Sequence, residues 1–261
     1  MNADAEVLLT TGGIEISGRL MEASNATLFG KVSLDGVSSD CVYKPIRGER
    51  PLWDFPDGTL AGREVATYLL SEASGWSLVP PTVFRDGPFG PGMCQLWIDS
   101  ADVSSLLDIV PANAVPTGWR RVFEGYSPDG DEVVVAHADD ERLRRLAVLD
   151  VVSNNADRKG GHLLISADDR LYGVDHGICW HTDNKLRTVL WGWAGDRIPE
   201  EAHEVLERLE RELDGDLGEQ LCEYVTVEEV LAARRRAGRL LRTGRFPSPK
   251  RDSRAIPWPP F

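Results

Sequence analysis

The segment 147–177, AVLDVVSNNADRKGGHLLISADDRLYGVDHG, carries Asp150, Asp157 and Asp175 around two short apolar runs. Those runs, LLIS at 163–166 and LYGV at 171–174, are separated by ADDR, the pattern of a short antiparallel hairpin. In an antiparallel pair the residues entering the first strand lie beside those leaving the second, so 157–162 and 175–177 share one edge. Two carboxylates and the His162 imidazole converge there. Gly160, Gly161 and Gly177 permit close approach by a ligand, which suits a catalytic loop better than a plain connection.

Carboxylates in this arrangement suit phosphoryl transfer, where positioning and charge neutralisation supply most of the rate. That chemistry needs a lysine on phosphate, a carboxylate-held metal and a carboxylate near the acceptor hydroxyl. Lys44 ends the strand-like run CVYK, and Glu64 sits on the helix predicted next, an arrangement suited to an ion pair that aims the lysine into a cleft. A strand-ending lysine alone is ordinarily a solvated charge; Glu64 in register is what singles out Lys44. Asp150, toward the end of an amphipathic helix, is expected to order the catalytic loop without touching substrate, together with Asn155, and Arg158 is expected to pair with a carboxylate.

The elements that must hold these residues fall into two styles. Up to about Ile98 the pattern is strand-like, in EVLL, IEIS, TLFGKVSL, DCVYK, TVF and MCQLWI, with Gly and Pro turns between. One helix interrupts them at about 59–74, where Val65, Tyr68, Leu69 and Ala73 recur at helical spacing and Gly75 supplies the stop. Beyond residue 100 the expectation is mainly helical: ADVSSLLDIV, ADDERLRRLAVLDVV, EEAHEVLERLEREL and the segment after Thr226, which opens with a capping-box sequence. The fold class is therefore α+β, with a strand-rich lobe at 1–98 and a larger helical lobe at 99–261, joined near 97–100.

With 261 residues, the chain has ample length to bury a core, and 42% hydrophobic with 27% charged residues is an ordinary globular composition. A net charge of -13 opposes electrostatic steering toward nucleic acid or an anionic membrane, so neither partner is expected. The opening MNADAEVLLTTGG lacks a basic region, no run is long enough for a membrane span, and the expected location is the cytoplasm. Cys41, Cys94, Cys179 and Cys222 stand far apart and are read as reduced thiols. The arginines at 234, 235, 236, 239 and 242 are read as a solvated helix face, and Trp53, Trp191, Trp193 and Trp258 as packing residues, with a place for Trp53 on a loop near the nucleotide as the alternative.

N-x-D-R followed by a metal-ligand position, a hairpin and D-x-G resembles the catalytic core of the phosphatidylinositol 3- and 4-kinase superfamily and of HipA-type kinases. The segments SNATLFGKV, VYKPIRGERPLWDFPDGTLAGREVA and NNADRKGGHLL are similar to those of an actinobacterial group of phosphatidylinositol kinase-like proteins, a likeness covering about residues 10 to 240. The resemblance implies a two-lobed atypical protein kinase-like fold, with an antiparallel-sheet N-lobe carrying one helix. It implies ATP and Mg²⁺ or Mn²⁺ as cofactors, and a hydroxyl-bearing acceptor on a protein or small molecule. It assigns phosphate binding to Lys44 with support from Glu64, catalysis to Asp157, and metal to Asp175 and His162. Ser24, Asn25 and Thr27 would belong to the phosphate-covering loop, and Gln95 to Asp99, with Trp97, to the adenine-contacting hinge. Two departures stand out: His162 occupies a position where such kinases usually have asparagine, and the loop after Gly177 has only Lys185 and Arg187 before Arg197, too few basic residues for a phosphoinositide headgroup. A nucleotide-binding pseudokinase and an AMP transferase on the same fold are the alternatives, followed by a metallohydrolase built from Asp157, His162, Asp175, His176 and His181.

Overall fold

A computed structural model of the chain describes residues 2–20, 26–249 and 254–261. It begins with α1 (Asn2–Thr11), which takes in the strand-like run EVLL. A short apolar run carries no period of its own, and tertiary packing decides it: Leu8 and Leu9 are buried against Val32, Cys41 and Cys94 of the sheet beneath. Arg85 fixes the helix end by donating to the Leu9 and Gly12 carbonyls at 2.6 and 2.7 Å.

That sheet comprises β1 (Gly13–Arg19), β2 (Leu28–Leu34), β3 (Val37–Pro45), β4 (Thr82–Gly87) and β5 (Gly90–Leu96), all antiparallel, in the order β1-β2-β3-β5-β4. Helix α2 (Leu60–Ser74) crosses between β3 and β4. Its N-terminal amides are doubly satisfied: Thr59 Oγ1 accepts from Gly62 N, and both Glu49 carboxylate oxygens accept from Leu60 and Ala61 N at 3.0 and 2.8 Å. Gly75 ends it at φ +75°, a left-handed conformation that favours glycine.

Residues 101–110 are not the expected helix. Val103–Ser105 is a single 3-10 turn, and β6 (Leu107–Pro111) follows, the edge of a three-stranded antiparallel sheet ordered β6-β8-β7 with β7 (Trp119–Tyr126) and β8 (Glu132–Ala138). Leu107 and Ile109, two apart, share one face of β6, which is buried at Leu107 and opens to solvent at Ile109; pairing with β8, not a helical period, orders the run. The remaining elements are α3 (Glu141–Ser153), the hairpin β9 (Leu163–Ile165) and β10 (Leu171–Gly173), α4 (Glu201–Glu212), α5 (Asp216–Leu221) and α6 (Val227–Thr243). The Thr226–Glu229 capping box at the start of α6 forms as its sequence implies.

The largest apolar core joins α2 to the helical region, uniting Ala66 and Leu70 with Leu146, Leu149, Trp180, Trp193, Leu206 and Leu240. Of the tryptophans read as packing residues, Trp193 is buried and Trp191 half-buried, but Trp53 and Trp258 are 91% and 79% exposed. The arginine face of α6 is also only partly solvated. Arg235, Arg239 and Arg242 are exposed and Arg234 pairs with Asp214, whereas Arg236 turns inward to donate to the Val152 and His181 carbonyls, and burial lowers its pKa to about 10.

Candidate active site

The site is assembled where α3 ends. Asn154 takes the left-handed conformation (φ +58°) and its side chain donates to the carbonyls of His181 and Asp183, while its Oδ1 accepts from Lys185 N. The next residue turns back: Asn155 Nδ2 donates to Asp150 Oδ1 at 3.0 Å, and its Oδ1 accepts from Asp157 N at 2.9 Å. Arg158 is fully buried. Its Nε and Nη2 each reach an Asp150 oxygen at 2.9 Å, and its Nη1 donates to the carbonyls of His162 and Val174 at 3.2 and 3.0 Å. One guanidinium therefore ties α3 to both sides of the hairpin base, which pairs Leu163 with Gly173. Burial opposes the Arg158 charge, but Asp150 outweighs it and the pKa is raised. Asp150, Asn155 and Arg158 thus hold the loop, as the sequence suggested.

On the facing side, Lys44 Nζ lies 2.6 Å from Glu64 Oε1 and 2.9 Å from Asp175 Oδ1. Glu64 uses its other oxygen to accept from His176 N at 2.8 Å, so α2 fixes both the lysine and the backbone after Asp175. Burial disfavours the Lys44 ammonium, yet the Asp175 and Glu64 carboxylates more than compensate and raise its pKa. The same ammonium holds Asp175 well below the usual carboxylate range, outweighing desolvation by the cleft walls, although about half of its side chain is open to solvent. Glu64 moves the other way: its desolvation is larger than the stabilisation Lys44 returns. Asp175 also adopts φ +60°, a conformation a non-glycine residue holds only where its surroundings enforce it.

His162 Nε2 is 3.3 Å from Asp175 Oδ2. Burial lowers its pKa to about 4, with Asp175 offsetting part of the effect, so the imidazole is neutral across physiological pH. Asp157, on the same edge, has its pKa raised by burial; Lys159, whose Nζ lies 3.3 Å from Asp157 Oδ2, counters this in part, and the Asp175 charge adds to the rise. A partly desolvated carboxylate beside a cation is suited to receiving a hydroxyl proton.

The nucleotide-side residues are distributed differently. Thr27 is buried just before β2, its carbonyl accepting from Leu20 N at 2.9 Å; Ser24 and Asn25 lie outside the described residues. Gln95 points into the sheet and donates to Thr82 Oγ1 at 2.8 Å. Trp97 N donates to Asp40 O at 3.0 Å, its Nε1 to Asp99 Oδ1, and its ring meets Phe29 edge-on at 5.0 Å. The Gln95 amide and the Trp97 N–H are therefore already bonded within the sheet edge.

Other participants gave little sign in the sequence. Arg63, adjacent to Glu64, is buried and joins Cys179 O, Asp57 O and Glu229 Oε1 at 2.7–2.8 Å, locking α2 to the segment after Asp175 and to α6. Lys185 pairs with Asp54 at 2.7 Å and lies over the rings of Trp53 and Phe55, so the loop before α2 clasps the loop after Gly177. In the sequence Lys185 stands out only as a basic loop residue, because its partner is 131 positions away.

The five residues of the metallohydrolase alternative are not brought into one shell. Arg158 Nη2 donates to His176 Nε2 at 2.6 Å, and His181 Nδ1 accepts from Asp183 N while its ring packs on Phe55. Among the described residues no three His, Cys, Asp or Glu side chains form a group able to hold a metal ion. Asp175 and His162 remain as a pair of donors facing one another beside Lys44. Such an open pair fits a divalent cation that takes its other ligands from phosphate and water, and its imidazole nitrogen suits Mn²⁺ better than Mg²⁺.

No family model matches the chain. Among solved structures, the Golgi casein kinase with Mn/ADP bound superposes at a TM-score of 0.54 with 14% identity, covering 93% of this chain and 75% of that one. The hydra Fam20 structure with sugar gives 0.54 with 13% identity over 92% of this chain and 87% of that one. These likenesses identify the α+β architecture as kinase-like in fold. Protein Rv2133c of Mycobacterium tuberculosis is 50% identical over 267 residues, covering 99% of this chain and 96% of that protein, and the chain belongs to the family of Rv2133c.

Proposed function

We propose that the protein is an ATP- and divalent-metal-dependent phosphotransferase of the phosphatidylinositol kinase-like class, acting on a hydroxyl of a protein or small molecule. The observation that carries this reading is Lys44 held between Glu64 and Asp175, opposite a loop that presents Asp157 on the same edge. Lys44 binds phosphate oxygens, with Glu64 keeping the ammonium charged and aimed. Asp175 and His162 hold the cation, which when bound neutralises phosphate charge. Thr27, with Ser24 and Asn25, covers the phosphates, and the Gln95–Asp99 stretch including Trp97 borders the adenine.

The acceptor oxygen forms its bond to the γ-phosphorus as the bond from that phosphorus to the bridging oxygen breaks, its electron pair leaving on ADP. The acceptor proton passes to Asp157. A Golgi casein kinase structure carrying Mn and ADP supports the cofactor choice by analogy of fold. We place the reaction in the cytoplasm, and the net charge of -13 disfavours nucleic acid or an anionic membrane as acceptor; no described helix is long and apolar enough to cross a membrane.

The test is the intact mass of the protein, and of candidate acceptors, after incubation with ATP and Mg²⁺ or Mn²⁺. Gain of one phosphate is expected. Gain of AMP would redirect the reading to nucleotidyl transfer, and nucleotide binding with no product on any acceptor, and no ADP released, would leave a pseudokinase.

A further inference from the structure

We infer that the segment 254–261 is a positioning strap for the catalytic loop, with Phe261 and the Pro260 carbonyl fixing the loop at Gly160; this rests on the phosphotransferase reading above. The loop from Asp157 to His162 is anchored at one end by buried Arg158 and at the other by β9. Between them stand Gly160 and Gly161, the residues with the most backbone freedom to lose. The loop's own hydrogen bonds run from His162 N to Lys159 O at 3.2 Å, from Lys159 N to His162 Nδ1 at 3.5 Å and from Leu163 N to Gly160 O, and none of them uses Gly160 N.

The strap supplies what the loop lacks. Gly160 N donates to Pro260 O at 2.8 Å. The Phe261 ring then closes over Gly160 so tightly that a Cβ there would lie 2.3 Å from Phe261 Cε1 and 2.8 Å from Leu107 Cδ2. Nothing lies within 4 Å of the corresponding position on Gly161, so the close approach is specific to one glycine. Farther along, Ala255 O accepts from Thr188 N at 3.0 Å and from Trp191 Nε1 at 2.8 Å. The strap therefore spans the Asp157–His162 loop and the segment after Gly177. Pro257, Pro259 and Pro260 stiffen it by fixing φ, so an anchor at 255 is transmitted to 260.

Lys159 adjoins the pinned glycine and its Nζ lies 3.3 Å from Asp157 Oδ2, whereas His162 is held separately, its carbonyl by Arg158 and the residue after it by β9. Freeing Gly160 lets Lys159 and Asp157 drift while Lys44, Glu64, His162 and Asp175 stay in place. Strap variants should therefore lose transfer without losing nucleotide.

The experiment uses the full chain carrying Phe261→Ala, with Phe261→Leu as the conservative partner should the alanine variant fold poorly. ATP with Mn²⁺ or Mg²⁺ is the probe. Phe261→Ala is expected to lower the turnover number about tenfold or more, the scale of an ångström-level misplacement, with the nucleotide dissociation constant unchanged. Phe261→Leu should retain most of the turnover. Amide exchange in the unliganded protein should speed up at 159–161 and remain unchanged in α3. Equal turnover of wild type and Phe261→Ala, or unchanged exchange at 159–161, overturns the strap alone. Absence of transfer by the wild type overturns the phosphotransferase reading and the strap's role in it, and the exchange data then report only on the loop's anchorage.

Discussion

Arg158 and Asp150 form a pair with two hydrogen bonds of 2.9 Å at a site sealed from solvent. Truncating one member leaves the other charge buried and unpaired, which typically costs about 3–5 kcal/mol. Asp150→Ala and Arg158→Met are each expected to lower unfolding free energy by about that amount, and the double variant by much less than the sum. Denaturant unfolding of the three proteins checks this; strictly additive losses would mean the two residues are not coupled.

Lys44→Met should weaken ATP binding at least tenfold while the protein stays folded, because the lysine lines the cleft and is not part of the apolar core. It also leaves buried Glu64 without its cation, and that carboxyl, already raised by burial, should then take up a proton more readily. Calorimetric titration with ATP is the measurement. Wild-type affinity in the variant would remove Lys44 from the nucleotide site.

The 163–173 hairpin and the Lys44–Glu64 pair are legible because each is local in sequence or set by one element's period. LLIS-ADDR-LYGV can hardly fold otherwise, and once it does, Asp157 and Asp175 must share an edge. The roles of Asp150 and Arg158 followed from the same proximity. What escaped was decided by tertiary context. EVLL became helical because Leu8 and Leu9 pack on a sheet whose other strands come later in the chain. Residues 107–111 became a strand because β8, some 25 residues on, supplies its hydrogen bonds. The Lys185–Asp54 clasp, the inward turn of Arg236 and the 254–261 contacts join distant segments and leave no periodic trace.

Asp157 and Asp175 should separate transfer from binding. Asp157→Asn removes the proton acceptor but keeps a polar group of the same shape, so metal-dependent ATP binding should persist while transfer falls by about 10² or more. Asp175→Asn removes the metal carboxylate and the counter-charge of Lys44, and should impair both. Parallel binding and product-formation assays decide, and equal loss of binding in the two variants would sink the division of roles.

His162 offers a borderline nitrogen where an amide oxygen would favour Mg²⁺, so Mn²⁺ should support wild-type turnover or nucleotide binding better than Mg²⁺. His162→Asn should move the preference toward Mg²⁺. With a pKa near 4 the imidazole needs no deprotonation at neutral pH, so the acid limb of metal-dependent function should lie well below the 6.5 of an ordinary histidine. An unchanged Mn²⁺/Mg²⁺ ratio in the asparagine variant would exclude His162 from the metal's ligands.

Folding stability should fall with acid in a window set by buried histidines. His137 lies in β8 with no exposed surface, its Nδ1 at 2.9 Å from Ala138 O and its Nε2 accepting from Gly192 N at 3.2 Å. Burial lowers its pKa to about 4, a larger effect than the Ala138 hydrogen bond that favours the charged ring. Asp139, Arg120 and Arg144 are the charged groups around it. The unfolded chain protonates this histidine near 6.5 and the folded chain refuses the proton until about 4. Between those values the unfolded state binds more protons, so stability is complete above 6.5 and declines as pH falls, by up to about 3 kcal/mol for His137. Asp139 does not blur this window. Arg144, Arg120 and Trp193 hold it down to about 2 against burial, so its contribution is lost only below its ordinary value of 3.8. His162 and His176, also lowered by burial, add to the slope. Urea unfolding at half-unit steps from pH 4.5 to 7 should therefore show a steep rise, and His137→Phe, less stable throughout for want of two hydrogen bonds, should show a shallower one. Identical slopes in the two proteins would mean that His137 does not stay neutral in the fold.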